Sequence, residues 1–401
     1  MLAKDKQTFQ GNNQYGFGTA INVAVVTVLT STPIFLPGAT SQLISKSINF
    51  GPGGIGVIFT LYWLFSVVGA YISRNDHRPF SIQKRISQSV LITALALAFI
   101  AIYPQFGIWV GPAIGGAVYG YSQPYTNLLI MKECSNRIHG FAYGLKQAAI
   151  PAATLISSLA VPIIAVPLGW RQLFGIIAFF TLIYSLFLAK NSQTIISKSQ
   201  NKSTAKLKLN WHLSMLALTG SLGAMVGNSL GGYLIISLTD SGFSLTAASF
   251  IAAVSSVANI IVRIIAGVAA DRGKKSPYRY LEFMFVFGMI GTLFLLTNIN
   301  AIQIIGSILA YAGGWGWAGL LHYVTGAAYP GKERQATAVS QMGVSLGASF
   351  GPLIFGCLFS YAGTQIAWIS LFIACAVAMI TVLIAYRIEY KNSEKNMESV
   401  I

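Results

Sequence analysis

The sequence is short of charge. Only 9% of its 401 residues are Asp, Glu, Lys or Arg, against 54% hydrophobic. A water-soluble domain carries about 25% charged residues. So few charges cannot cover a surface that meets water on every side. The shortage is also uneven, because no charged residue occurs between Arg85 and Lys132, between Glu282 and Lys332, or between Arg334 and Arg387. Acidic residues are scarcest, ten in all, and cysteines number three. Cys134, Cys357 and Cys375 lack any CxxC spacing, so they imply neither a disulfide framework nor a metal site. Hx₃H and GxSxG patterns are missing too, and of the four histidines only His322 falls deep in an apolar run. An enzyme needs a nucleophile–base or metal constellation, so the sequence reads as a non-enzyme without cofactor or metal. The polar opening MLAKDKQTFQGNNQYGF lacks the apolar core of a secretory signal peptide. The first apolar segment is therefore expected to stay in the protein.

What is abundant is long apolar sequence. A membrane-spanning helix needs about 20 apolar residues, and each charge-free gap has room for two. The gaps break near their middles at YPQFG (103–107), TNIN (297–300) and YAGTQ (361–365). Membrane strands would show alternating segments of about ten residues, whereas these runs are continuous. The pattern predicts an all-α polytopic membrane protein of twelve transmembrane helices. They are placed at 18–44, 53–73, 85–104, 107–131, 139–166, 170–189, 211–239, 243–270, 279–298, 301–329, 335–361 and 364–388. A polar linker, 191–210, separates an N-terminal six-helix half (18–190) from a C-terminal one (211–388), with tails at 1–17 and 389–401.

The net charge of +16 has a topological explanation. With the N-terminus in the cytoplasm, all but four of the 26 Lys and Arg fall in cytoplasmic loops, the linker or the tails. Lys46 and Arg171 fall on the other side, and Lys146 and Arg263 fall inside spans. This satisfies the positive-inside rule and predicts a multi-pass cell-membrane protein with both termini cytoplasmic. It leaves no excess charge to argue for nucleic-acid binding.

The chain also repeats itself. Gly69-Ala-Tyr-Ile-Ser73-Arg74 follows the second span, and Gly267-Val-Ala-Ala-Asp271-Arg272 follows the eighth, 198 residues later. A parallel repeat of six spans predicts a solute site between the halves, near the bilayer midplane. At these residues the chain resembles the major facilitator superfamily over about 18–388. GVAADRGKK is similar to the family's loop signature G-x-x-x-D-R-x-G-R/K-R/K, with the second glycine one place early. The first copy, GAYISRNDHR, keeps Gly69 and Arg74 but has Ser73 where the aspartate is expected. The resemblance implies alternating access, with Gly69, Arg74, Gly267, Asp271 and Arg272 in the gates that latch the halves on the cytoplasmic side. Two glycine-rich stretches, Gly343-x₃-Gly347-x₃-Gly351-Pro352 and AGGWGWAG at 312–319, suit helices that slide or pack tightly. HGFAYGLKQAAIPAA is similar to the fifth span of small-anion permeases of the cyanate and nitrate type. Asn259-x₃-Arg263 resembles a pattern of monocarboxylate porters.

Lys146 and Arg263 are the two charges that need explaining. A cation at membrane depth costs about 2.5 kcal/mol or far more. Lys146 lies about 10 Å inside the start of span five, and Arg263 lies about 12 Å before Asp271 in span eight, at matched depth. All ten acids fall in loops, tails or span ends, Asp76 among the loop residues. A substrate anion would supply the missing counter-charge. Two plainer readings stand beside this one. Lys146 can snorkel to the headgroups, and Arg263 can bond open carbonyls or pair with Asp271 or Glu282. Gln147, Asn259, Asn228, Tyr125 and His322 complete the candidate solute-binding set, for which interhelical hydrogen bonding is the plain alternative. The expected function is secondary transport of a small anionic solute by a monomer in the lipid bilayer, with a proton or other ion as a co-transported partner. The alternative is a proton-coupled exporter of drug-like or neutral compounds, which would predict a buried acid.

Overall fold

The computed structural model describes residues 16–48, 53–76, 80–190, 196–197, 207–273 and 275–398. Most of the expected N-terminal tail (with Lys4, Asp5 and Lys6), His77, Arg78, Lys274 and residues 399–401 lie outside them. So does most of the expected linker, with Lys198, Lys202 and Lys206.

Twelve long helices follow the apolar runs. In the first half they are α1 (Phe17–Ala39), α2 (Gly53–Asn75), α3 (Ile82–Ile102), α4 (Pro104–Glu133), α5 (His139–Ala160) and α6 (Trp170–Lys190). In the second half they are α7 (Trp211–Asp240), α8 (Leu245–Asp271), α9 (Pro277–Phe294), α10 (Asn300–Leu309 and Ala318–Ala327), α11 (Glu333–Ala362) and α12 (Thr364–Glu398). Among the described residues the only strands are two of two residues each, β1 (Phe80–Ser81) and β2 (Ile196–Ser197), paired antiparallel. Ten helical stretches are long and apolar enough to cross a membrane by length and composition. The two that fall short have evident causes. In α4, glycines, two internal prolines and polar residues dilute the hydropathy. In α9, only 18 residues long, Arg279 and Glu282 sit in the first two turns.

The turns explain how so many helices fit in 401 residues. α3 and α4 are separated by one residue, Tyr103. Proline at the first position of α4 suits a helix start, where its missing N–H is not needed. α11 and α12 are separated only by Gly363 at φ +90°, a backbone conformation that glycine enters without steric cost.

Three spans depart from the expected helices. The first ends at Ala39, and Ser41–Ser47 forms a separate short helix. The fifth continues through a π-helical turn, Val161–Ala165, into Val166–Leu168. The tenth is broken. A π-helical turn at Ala310–Gly314 and non-helical residues 315–317 interrupt it where AGGWGWAG suggested close packing.

Within each half, small residues bring helices together. A side chain at Gly69 would strike the carbonyl of Ala117 on α4, and one at Gly343 or Gly347 would strike the carbonyls of Ala217 or Ser221 on α7. Gly69 and the α11 glycines are therefore packing positions inside a half. The halves meet where α5 packs on α8 and α10, and where α11 packs on α2 and α4. Ser66 of α2 and Ser345 of α11 are hydrogen-bonded across that interface at 2.8 Å.

Candidate functional site

A small cavity lies between the halves. Its walls include Gln147, Arg263, His322, Asn228 and Gln341 among polar residues, and Trp63, Tyr119, Trp315 and Trp317 among aromatics. Its volume is about 30 Å³, comparable to the share of one water in the liquid, about 30 Å³. The halves are closely drawn together around it.

Arg263 is the charge on this wall. It is 2% exposed, and two carbonyls hold it: Nη1 donates to Gln147 O at 2.6 Å and Nη2 to Trp315 O at 2.6 Å. Its Nε has no hydrogen-bond partner among the described residues. The guanidinium carbon lies 6.0 Å from the centre of the Trp315 ring. A helical carbonyl is normally taken by the N–H four residues on; the broken tenth span frees that of Trp315, and Pro151, which has no N–H, frees that of Gln147. The π turn and the three residues after it present the carbonyls of Tyr311 and Trp315 to side chains. Asn259, one helical turn from Arg263, donates to Tyr311 O at 2.6 Å. Irregular backbone at membrane depth is tolerated where protein or a cavity covers it.

Lys146 is fully buried, and its ammonium does not reach a headgroup. It donates to Gln123 O at 3.2 Å and to Asn127 Oδ1, both on α4. Its chain neighbour Gln147 lines the cavity, but Lys146 does not. Among the described residues neither Lys146 nor Arg263 forms an ion pair with a carboxylate. Asp271 and Glu282, the acids considered for Arg263, are engaged elsewhere. Glu282 binds Arg279 at 2.7 Å, and Asp271 accepts from the backbone of α5. Several polar atoms around the two cations also lack a partner among the described residues: the Gln123 amide, Asn127 Nδ2, Gln147 Nε2 and Asn259 Oδ1.

The remaining candidates divide. Asn228 and His322 line the cavity; Asn228 donates to Ala224 O in its own helix, and His322 Nδ1 lies 3.2 Å from Ser340 Oγ. Tyr125 is away from the cavity. Its hydroxyl donates to Asp76 Oδ2 at 3.0 Å, near the linker-side end of the bundle.

That end carries two sets of contacts between the halves. In one, Asp271 at the end of α8 accepts from Gly140 N at 2.6 Å and Phe141 N at 2.7 Å, in the first turn of α5. The carboxylate meets unpaired N–H groups and the positive end of the helix dipole. Gly140 and Gly267 make room, since a side chain at either would strike the other's carbonyl. Arg272, next in the chain, is exposed.

The other set departs from the expected motif. Ser73 is buried with its hydroxyl unpaired among the described residues, and Arg74 donates to Leu207 O of the linker at 3.0 Å. The carboxylate here belongs to Asp76, three residues on, which is buried and not a solvated loop acid as its position suggested. It accepts from Tyr121 and Tyr125 and pairs with Arg85 at 3.4 Å. Arg334, in the first turn of α11, crosses from the other half, donating to Asp76 O at 2.6 Å and covering the Tyr125 ring at 5.2 Å. The spacing of four between Tyr121 and Tyr125 was the available sequence signal for this cluster. Nothing local marked Asp76 as their partner. At the end of α4, burial, with Glu133 adding to it, pushes the Cys134 thiol up to about 12.

Comparison with known proteins agrees with this architecture. Solved structures that superpose include FucP in the outward conformation (TM-score 0.73, 13% identity, 91% of this chain and 98% of that one). Others are the proton:xylose symporter XylE (0.71, 14%, 94% and 96%) and the human organic anion transporter MFSD10 (0.72, 11%, 91% and 98%). At such identities the likeness speaks for the fold alone. No curated protein matches the chain in sequence. The family model of the Major Facilitator Superfamily matches residues 21–318 and 216–399, which together span nearly the whole chain. The chain, whose described residues form helices in two halves around a small cavity, therefore belongs to the Major Facilitator Superfamily and is a secondary transporter.

Proposed function

We propose that this transporter moves a small anion by alternating access, and that Arg263 is the charge that binds it. One observation carries the reading. A desolvated guanidinium stands on the wall of the cavity between the halves, faces carbonyl oxygens, and has no carboxylate beside it among the described residues. A buried charge without a counter-ion is costly, and a carboxylate or similar oxyanion would supply two strong acceptors for its fork. Lys146 adds positive potential from one residue behind Gln147. Asn259 holds the broken helix in place, and Gln147, Asn228 and His322 offer hydrogen bonds to the solute. With no acid among the described residues that line the cavity, any coupled proton is carried on the solute or on His322.

Tight latches at the linker end describe a state closed on that side, which we place in the cytoplasm from the distribution of Lys and Arg. The site is then approached from outside. Asp271 and Asp76 with Arg334 act as gates, and their release opens the cytoplasmic path.

Uptake of a panel of labelled small anions into proteoliposomes tests the assignment. Saturable uptake should be lost in Arg263→Gln and sharply reduced in Lys146→Gln. Unchanged anion uptake in both variants rejects it.

The aromatic wall of Trp63, Tyr119, Trp315 and Trp317 beside Gln147, Asn228 and Gln341 supports a second reading, a neutral hydroxyl-bearing solute. FucP and XylE are described as proton symporters of fucose and xylose. Uptake of such a solute that survives Arg263→Gln would favour this reading.

A further inference from the structure

A second cavity, larger than the first, lies inside the first half. It holds about 200 Å³ and is lined by residues of α1 (Thr19, Asn22), α3 (Gln83), α4 (Glu133) and α6 (Phe187, Leu188), with Val and Ile side chains between them. It sits at the linker-side ends of these helices. Thr19 is in the first turn of α1, Gln83 in the first turn of α3, Glu133 ends α4, and Leu188 is in the last turn of α6. Here α1 and α6 are joined by a hydrogen bond, Tyr184 OH to Asn22 Oδ1 at 3.1 Å. Exposed apolar residues flank the cleft on both helices, Ile21 on α1 and Leu186 and Phe187 on α6. The mouth therefore lies where headgroups meet acyl chains.

Its chemistry is one-sided. Glu133 is partly buried and accepts from Thr19 Oγ1 at 3.0 Å and Gln83 Nε2 at 2.7 Å, both neutral. No basic side chain is within ion-pair distance of it among the described residues. Gln83 Oε1 is buried without a partner there. The unspent capacity of the floor is thus acceptor capacity, and it carries a negative charge. The rim is the opposite. The same helix ends carry cations: exposed Lys84 lies in the first turn of α3, and exposed Lys190 ends α6 two residues beyond Leu188. An acceptor-rich anionic floor inside a cationic rim matches a headgroup with a donor-bearing cation at its tip and a phosphate behind it.

We infer that this cleft binds an aminophospholipid, with the primary ammonium on Glu133 and Gln83 Oε1, the phosphate among the rim lysines, and the chains along α1 and α6. A quaternary ammonium has no N–H to give, and a glycerol headgroup carries no cation. The site therefore discriminates phosphatidylethanolamine from phosphatidylcholine and phosphatidylglycerol.

The test is native mass spectrometry of the purified full chain, exchanged into mixed micelles with equal amounts of the three lipids. The expected result is one tightly held phosphatidylethanolamine, retained at least about tenfold over either competitor. Glu133→Gln should abolish that preference. Leu188→Trp, which fills the cleft from α6 and not from the helix that carries the carboxylate, should lower retention of all three lipids. Size-exclusion profile and Tm identify variants that fail to fold. Equal retention of phosphatidylcholine, preferential retention of phosphatidylglycerol, or a folded Glu133→Gln variant that keeps the preference would each overturn the assignment. The solute assignment at Arg263 is independent of the outcome.

Discussion

Arg263 and Asp271 lie eight residues apart on α8, and both grip α5. Arg263 binds the Gln147 carbonyl, and Asp271 binds the N–H groups of Gly140 and Phe141. The helix proposed to meet the solute is thus also the helix that carries the proposed gate residue. A solute that draws Arg263 away from Gln147 O removes one of the two grips. In the proposed mechanism this is how occupancy at the site reaches the gate, through differential contacts in the two states.

Arg263 should not tolerate lysine. A guanidinium serves two carbonyls about 2.6 Å from separate nitrogens and keeps Nε for the solute. A lysine ammonium is a point charge that cannot span both. Arg263→Lys is expected to lower kcat/KM for uptake at least about tenfold, a loss of about 1.4 kcal/mol. Initial-rate flux in proteoliposomes measures it.

Loosening the Asp271 latch should shift conformation before it touches affinity. Asp271→Asn keeps the shape but removes charge from two short bonds, each worth about 1.5–3 kcal/mol when charge-assisted. The linker-side ends of α5 and α8 should then spend more time apart, as read by spin-label distances between them. The solute Kd is expected to change less than threefold. Gly267→Ala should separate the same ends sterically, at a cost of about 1–3 kcal/mol.

On the opposite side of the interface, the acid to remove is Asp76. Ser73→Ala deletes a hydroxyl with no partner among the described residues and should leave uptake and Tm nearly unchanged. Asp76→Ala strips acceptors from Tyr121, Tyr125 and Arg85 and should destabilise the linker side by about 2 kcal/mol or more. A ranking in which Ser73→Ala is the more damaging of the two contradicts this picture.

Lys146 separates stability from transport. Burying an ammonium with no counter-ion is costly, and an apolar residue of similar length removes that cost. Lys146→Met should therefore hold or raise the Tm of the purified protein while lowering anion uptake. A fall in both would mean that its bonds to Gln123 O and Asn127 Oδ1 outweigh the cost of burying the ammonium.

Much of the fold was legible in the order of residues. Water, lipid and charge sort apolar runs and lysines by composition alone, so the twelve spans and the one-sided Lys and Arg could be read without coordinates. The matched depths of Lys146 and Arg263 follow from helical rise. The motif marked Asp271, and the contact it makes with α5 is the proposed gate. Its counterpart was not, because Asp76 sits at the end of α2 beside polar residues and looks like any loop acid. It is made into a buried acceptor by tyrosines 45 and 49 residues away and by an arginine from the other half.

The site shows the same division. The sequence alone determined that two cations fall inside long apolar runs, because Lys146 and Arg263 have no other charged residue near them in the chain. Only the tertiary structure decided what they do there: Arg263 turns to the cavity, and Lys146 turns into α4. The spacing AGGWGWAG could not say that α10 would break and give its carbonyls to Asn259 and Arg263. Span and sidedness are solvation energies, nearly additive along the chain. The direction of a buried side chain depends on which donors and acceptors other helices bring within about 3 Å, and that is settled only when the helices pack.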